Sequence, residues 1–289
     1  MRYTSQVVVM LAGLLVAGQV VAQPAELPPP PAPKPAPAPR RPAPKGTPKK
    51  VDLAPEIAAL SGADDDAAMV AATSLGTSEQ PAAHDALLDA LAFGLPSRVA
   101  VAALAALTQH PAPADVQALR RYAGHHTPTV RAAAINALAS YPNPEARAAI
   151  AGALRDPAGL VRTAAAGAAA KGRVRDAVEP MIKLLAKGEE SSARSLAAIA
   201  DPDLARKLAD QYGKVPDASL ALALGLILKR QDFGPDPARV EIVRAMAKIQ
   251  DIAATNQLKD YLDVTPKNPP RPSRQEAEMV WSARTGGGK

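Results

Sequence analysis

The sequence predicts an all-α chain, a right-handed α-solenoid of about six to seven helix–turn–helix repeats. Three observations carry this. Hydrophobic residues make up 47% of the 289 positions but aromatics only 3%, so Ala, Leu, Val and Ile must fill the core. Side chains this small suit closely packed helices better than an aromatic-rich β-sandwich. Three segments also align without gaps, Val99-AVAALAALTQHP, Val130-RAAAINALASYP and Val161-RTAAAGAAAKGR, with their first residues 31 apart. Finally, each copy has helical apolar spacing and then meets a breaker, Pro111, Pro142 or Gly172.

The N-terminus comes first. Arg2 precedes an apolar run from Val7 to Ala22, and Val20-Val21-Ala22 puts small residues before Gln23. This is the layout of a secretory signal over residues 1–22, cleaved between Ala22 and Gln23. The alternative is an uncleaved anchor, against which sixteen helical residues span about 24 Å, short of the roughly 30 Å hydrocarbon core. The expectation is a mature chain outside the cytoplasm, with no transmembrane span. Residues 23–50 hold 12 Pro in 28 positions. Such a segment cannot bury a core and leans to extended polyproline II, reaching on the order of 80 Å. It is read as a disordered basic linker, whose Lys and Arg offer contact to the cell wall or an anionic surface. Its Pro/Lys alternation is similar to the periplasm-crossing segments of TonB-type proteins.

The repeat region is placed at residues 51–266. Stepping back 31 from Val99 reaches Ala68, and stepping forward from Val161 by about 30 reaches Ser191. Looser copies open at Ser219 and near Ala238. In the Val130 copy, Val130, Ala133, Ala134, Ala137 and Leu138 form one helical face. A second amphipathic stretch follows most copies, as in ADVQALRRYAG, DPDLARKLADQYG and NQLKDYLDV. The sixth unit reads as irregular, because few residues separate Arg230 from Ala238. One hairpin cannot bury its own stripe, and stacking neighbours gives a continuous core. The acid runs Asp64-Asp65-Asp66 and Glu189-Glu190 suit helix N-termini. Residues 267–289 read as a Pro-rich turn, a short helix and a disordered tail. Ser273 and Glu276 have capping-box spacing, and Met279, Val280 and Trp281 form an apolar patch. The patch covers the last repeat or docks on a partner, and the need to close an open solenoid end favours the first.

These residues resemble the HEAT-repeat family, in particular the short bacterial HEAT-like repeats first associated with phycobilisome lyases. Val130-Arg131 and Val161-Arg162 match the opening of that family's first helix, and Ala177 to Leu185 is similar to its second helix. Ala100 and Ser192 stand where the Arg would be, so an Arg ladder between repeats is expected to be partial. The resemblance implies that second helices line the concave face. Their outward polar residues Arg120, Arg121, Tyr122, Lys183, Arg206 and Lys207 are the candidate partner contacts, against the plainer alternative of a solvated face. Arg120-Arg121-Tyr122 is the densest cluster, an Arg and aromatic combination enriched at interfaces.

Chemistry is sparse. The chain has no Cys, which excludes disulfides, thiolate metal sites, a Cys nucleophile and a diacylglyceryl-lipoprotein anchor. No hydrolase elbow, zinc-protease motif, Walker loop or dinucleotide fingerprint occurs. The phosphate-loop lookalike Gly167 to Arg173 lacks the Lys-Ser/Thr ending. His125-His126 reads as a surface turn and His84-Asp85 as helix-start polarity, so no metal and no cofactor are expected. The formal charge of +6 is uneven: residues 23–50 carry +5, residues 51–266 carry −3 and residues 267–289 carry +3. A mildly acidic body is a poor nucleic-acid cradle. The expected function is an exported, non-enzymatic scaffold in the bacterial cell envelope that binds another protein. The alternative is a lyase-like or chromophore-handling enzyme subunit.

Overall fold

The computed structural model describes residues 51–286. The signal, its Ala22–Gln23 cleavage point and the linker at 23–50 lie outside the described residues, as does the end of the tail.

The described residues form fifteen α-helices and no strand. They run α1 (Ala54–Leu60), α2 (Asp65–Thr77), α3 (Pro81–Phe93), α4 (Ser97–Ala106), α5 (Asp115–Ala123), α6 (Pro128–Leu138), α7 (Pro144–Ala153) and α8 (Gly159–Lys171). After a 3-10 turn at Arg175–Ala177 come α9 (Val178–Leu185), α10 (Glu190–Ile199), α11 (Pro202–Ala209), α12 (Asp217–Lys229), α13 (Asp236–Lys248), α14 (Ile252–Val264) and α15 (Pro272–Thr285). Seven hairpins result, α2–α3 through α14–α15, with α1 covering the first. This is an α-solenoid in two layers.

Even-numbered helices make the first layer, each packed on the next from α2 to α14. Alanine makes this possible. Ala68, Ala71, Ala72, Ala100, Ala103, Ala134 and Ala165 are all buried on that layer, and a methyl-sized side chain lets backbones approach closely while paying no rotamer entropy. Two glycines take the approach further. A Cβ on Gly76 would lie 2.7 Å from Ala106 Cβ, and one on Gly225 would lie within 2.7 Å of three Gln257 side-chain atoms. Odd-numbered helices form the second layer and supply bulkier groups to the shared core, among them Leu87, Leu119, Ile150, Met181, Leu208 and Val243.

Helix starts follow the sequence chemistry. The Asp64 carboxylate accepts from the Asp66 and Ala67 N–H groups, and Asn143, Asp201 and Asp251 cap α7, α11 and α14 in the same way. Four expectations are corrected. The segment near Ala238 is α13, the second helix of hairpin six, packed on α11 and α15. The stretch NQLKDYLDV falls in α14, a first-layer helix packed on α12. Hairpin six is therefore complete, because α13 starts 19 residues after α12, the same offset as α9 from α8. Ser273 does not cap α15. It lies inside the first turn behind Pro272, buried, with its N–H and hydroxyl both donating to the Asp236 carboxylate of α13. Glu276 reaches Arg244 on α13 instead of closing a capping box. Helix α15 packs along α13 and α14, with Ala277 buried and Val280 and Trp281 against the core, while Met279 stays exposed.

Candidate functional site

The six sequence-derived contact residues lie on second-layer helices, and most of them are already engaged. Arg120 on α5 pairs with Glu145 on α7 at 2.7 Å. Lys207 on α11 pairs with Glu179 on α9, and Arg206 bridges Asp203 and Glu241. These pairs tie successive second-layer helices together, and being exposed, each is worth little, about 0–1 kcal/mol. Lys183 is exposed on α9.

Tyr122 is a correction: it is 7% exposed, and its hydroxyl donates to the Leu91 carbonyl at 2.7 Å. Burial raises its pKa above the usual tyrosine value, with Arg121 opposing weakly. Arg121 also donates to Leu91 O, at 3.2 Å. Two residues chosen as outward contacts thus satisfy a carbonyl near the end of α3. The helical phase is the reason: Val116, Leu119 and Tyr122 fall on one stripe of α5, and all three are buried.

The histidines divide. His125 stacks on Tyr122 at 5.9 Å and accepts from the Thr127 N–H through Nδ1. The carbonyls of His125 and His126 accept from Arg131. His84 engages Asp115, one repeat ahead, not its neighbour Asp85. Asp115 is fully buried, 2.6 Å from His84 Nε2, and accepts from Tyr141 Oη at 2.7 Å and Ala112 N at 2.8 Å. Burial first, then the Asp115 bond, drives the Tyr141 pKa far above the ordinary range. Both carboxylate oxygens are consumed, so this network ties α3, α5 and the turn after α6 together. The sequence signal was present, since Asp115 follows His84 by one repeat length.

A groove of about 710 Å³ crosses the intra-hairpin turns of hairpins four, five and six. Val178, Ile199, Pro202 and Leu204 line its apolar part. Arg173 and Arg175, from the turn after α8, stand at its edge and are exposed. Neither side chain makes a hydrogen bond or ion pair among the described residues. Of its other charges, Lys207 pairs with Glu179, Arg230 with Asp232 at 2.7 Å and Asp203 with Arg206, while Asp201 caps α11. The Arg230 hydrogen bond holds the Asp232 carboxyl below the usual range, with smaller help from the charge of Arg173.

Arg173 has φ +47°, the one left-handed non-glycine residue among those described. The turn after α8 is a Schellman type, with Val174 N–H on Ala169 O and Arg173 N–H on Ala170 O. Glycine normally takes that left-handed position, but here Gly172 sits one residue early in right-handed geometry. An arginine there costs about 1–2 kcal/mol. Neither Arg173 nor Arg175 was a candidate from sequence, because a backbone φ leaves no trace in composition or period. Gly167 to Lys171 lies within α8, which makes no phosphate loop.

The fold and repeat spacing define an α-solenoid of helical repeats. Residues 121–200 match the family described as HEAT repeats. No curated protein matches the chain by sequence. Among solved structures it is similar to the complex of CpcE and CpcF of phycocyanin lyase from Nostoc sp. PCC7120, at 18% identity, over 85% of this chain and 98% of that one, with a TM-score of 0.44. It is also similar to a designed armadillo repeat protein, at 15% identity, over 81% of this chain and 100% of that one, TM-score 0.36. An engineered protein is similar at 20% identity over 83% and 98% of the two chains, TM-score 0.34. No helix among the described residues is long and apolar enough to cross a membrane.

Proposed function

We propose that this chain is a non-enzymatic HEAT-repeat scaffold, exported to the bacterial cell envelope, that binds another protein through its helical-repeat surface. The groove across hairpins four to six carries the proposal. It pairs apolar walls with two unmatched guanidinium groups, one of them held in a strained backbone. The turn requires a left-handed residue but not an arginine, and non-glycine residues in that region cluster at functional sites. Two planar forks of this kind suit a carboxylate-bearing segment of a partner. Export rests on Arg2, the apolar run to Ala22 and the small residues before Gln23. The basic Pro-rich segment 23–50 then serves as spacer, with the cell wall or an anionic surface within its reach.

The test is crosslinking and affinity capture of the tagged chain from intact cells. One envelope protein in stoichiometric yield is expected. Replacing both Arg173→Gly and Arg175→Ser should cut that yield by about tenfold. Arg173→Gly alone should raise unfolding stability by about 0.5–1 kcal/mol, since glycine occupies the left-handed region without the Cβ clash. Unchanged capture by the double variant moves the partner face elsewhere. A small molecule that raises Tm while no protein is retained favours the lyase-like alternative.

A further inference from the structure

The first hairpin departs from the rest of the array in charge. Residues 51–94 hold eight acidic residues and no Lys or Arg, whereas residues 95–266 hold 22 basic and 17 acidic residues. A groove of about 630 Å³ opens there between α1 and α3. Its apolar lining is Ile57, Leu60, Ala86, Phe93 and Leu95, and its charged lining is Asp85 and Asp89.

Asp85, Asp89 and Phe93 follow one another at i, i+4 and i+8 along one face of α3. Both aspartates are exposed, and Phe93 is 94% exposed. Elsewhere in the second layer, Glu145 meets Arg120, Glu179 meets Lys207, Glu241 meets Arg206 and Glu276 meets Arg244 on a neighbouring helix, and Asp203 and Glu278 meet an arginine of their own helix. Asp85 and Asp89 have no such partner among the described residues. Like charges at i, i+4 also repel, and an acid near a helix C-terminus opposes the dipole. Packing gains nothing from this stripe, and an aromatic ring left in water beside it gains nothing either.

We infer that the α1–α3 groove is a second docking site, and that it takes an extended basic segment of a partner protein. The spacing specifies the segment further. Four helical residues rise about 6 Å, and alternate residues of an extended strand lie about 6.6 Å apart. Lys or Arg at alternate positions therefore meets Asp85 and Asp89 in turn, and an apolar residue two further on meets Phe93. This site deepens the reading of the chain as a protein-binding scaffold, but it uses none of the residues of the groove at hairpins four to six.

The experiment titrates the purified full chain into a fluorescent Lys-Ser-Lys-Ser-Leu peptide, read by anisotropy, with Glu-Ser-Glu-Ser-Leu as control. Binding of the Lys peptide alone is expected, weakening as salt rises. D85N/D89N should weaken it about tenfold, and F93S should weaken it without steepening the salt dependence. D65N, on the acid run outside the groove, should bind like the native chain, as should R173G/R175S. Because all three groove residues are exposed, an unchanged Tm shows that each variant is folded. Equal binding by D85N/D89N, loss with D65N, or no binding up to millimolar peptide would overturn the inference. Concentration-dependent self-association abolished by D85N/D89N would overturn it too, by making a second copy the occupant.

Discussion

The middle of the array and its C-terminal end use arginine differently. From α4 to α10 the first-layer helices start 31 residues apart without exception. Here Arg131 grips the His125 and His126 carbonyls of the preceding turn and the Asp156 carboxylate of the next. Arg162 repeats the pattern on Asp156 O, Pro157 O and Glu189. After α10 the spacing becomes 27 and then 35 residues. There Arg230 binds Ala197 O and Ala200 O, Arg274 binds Leu262 O and Thr265 O, and Arg284 binds Met246 O, Ala247 O and Ile249 O. A constant period recreates the same turn, so one solution serves twice. Where the period breaks, each helix end leaves its own set of orphan carbonyls, and each set needs a separately placed donor.

The comparison can be broken from either side. Asp115→Ala removes the shared acceptor of His84, Tyr141 and Ala112 N, and it should cost about 3 kcal/mol. Urea unfolding measures that loss, and hydrogen exchange should place it in the first three hairpins. Arg284→Ala frees three carbonyls and should cost about 2 kcal/mol. Its exchange signature should stay within α13 to α15, because a solenoid transmits stability chiefly between neighbours. A uniform loss of protection along the chain would contradict the division into two regions.

The smallest effect is a pH dependence. The Arg131 hydrogen bond holds the Asp156 carboxyl below the usual range, with the Ala158 N–H and the charges of Arg131 and Arg162 helping against burial. A depressed carboxyl stabilises fully above its unfolded pKa, about 3.9, and loses that contribution as pH falls through the lower folded value. Arg131→Met should lower neutral-pH stability and flatten the fall of the urea midpoint as pH drops below about 4. An equally steep acid limb in the variant would assign the dependence to other carboxylates.

Much of the fold was legible because it repeats. The segments opening at Ala68, Val99, Val130, Val161, Ser191 and Ser219 all lie on first-layer helices. Period and apolar spacing are local properties, and a 31-residue offset survives without knowledge of any contact. The errors fall where the offset changes. Helix α13 has the apolar rhythm of a first helix, and only its position between α11 and α15 assigns it to the second layer. Ser273 has the spacing of a capping box, yet Asp236, 37 residues away, supplies the acceptor.

The candidate sites were less legible than the fold. Arg120, Arg206 and Lys207 were visible as outward charges, but their partners come from adjacent helices. Tyr122 beside two arginines had the composition of an interface, and the helical phase of α5 turned it inward. By itself the sequence determined the helical repeat, its small-residue packing layer and the missing Cys chemistry, since these depend on residue type and period. Tertiary structure decided that Asp115 is the buried centre of a polar network, that Arg173 is left-handed at a groove and that Asp85 and Asp89 have no cation partner among the described residues. The first and last depend on what a neighbouring repeat brings within about 3 Å, and the second on how the end of α8 closes its own hydrogen bonds.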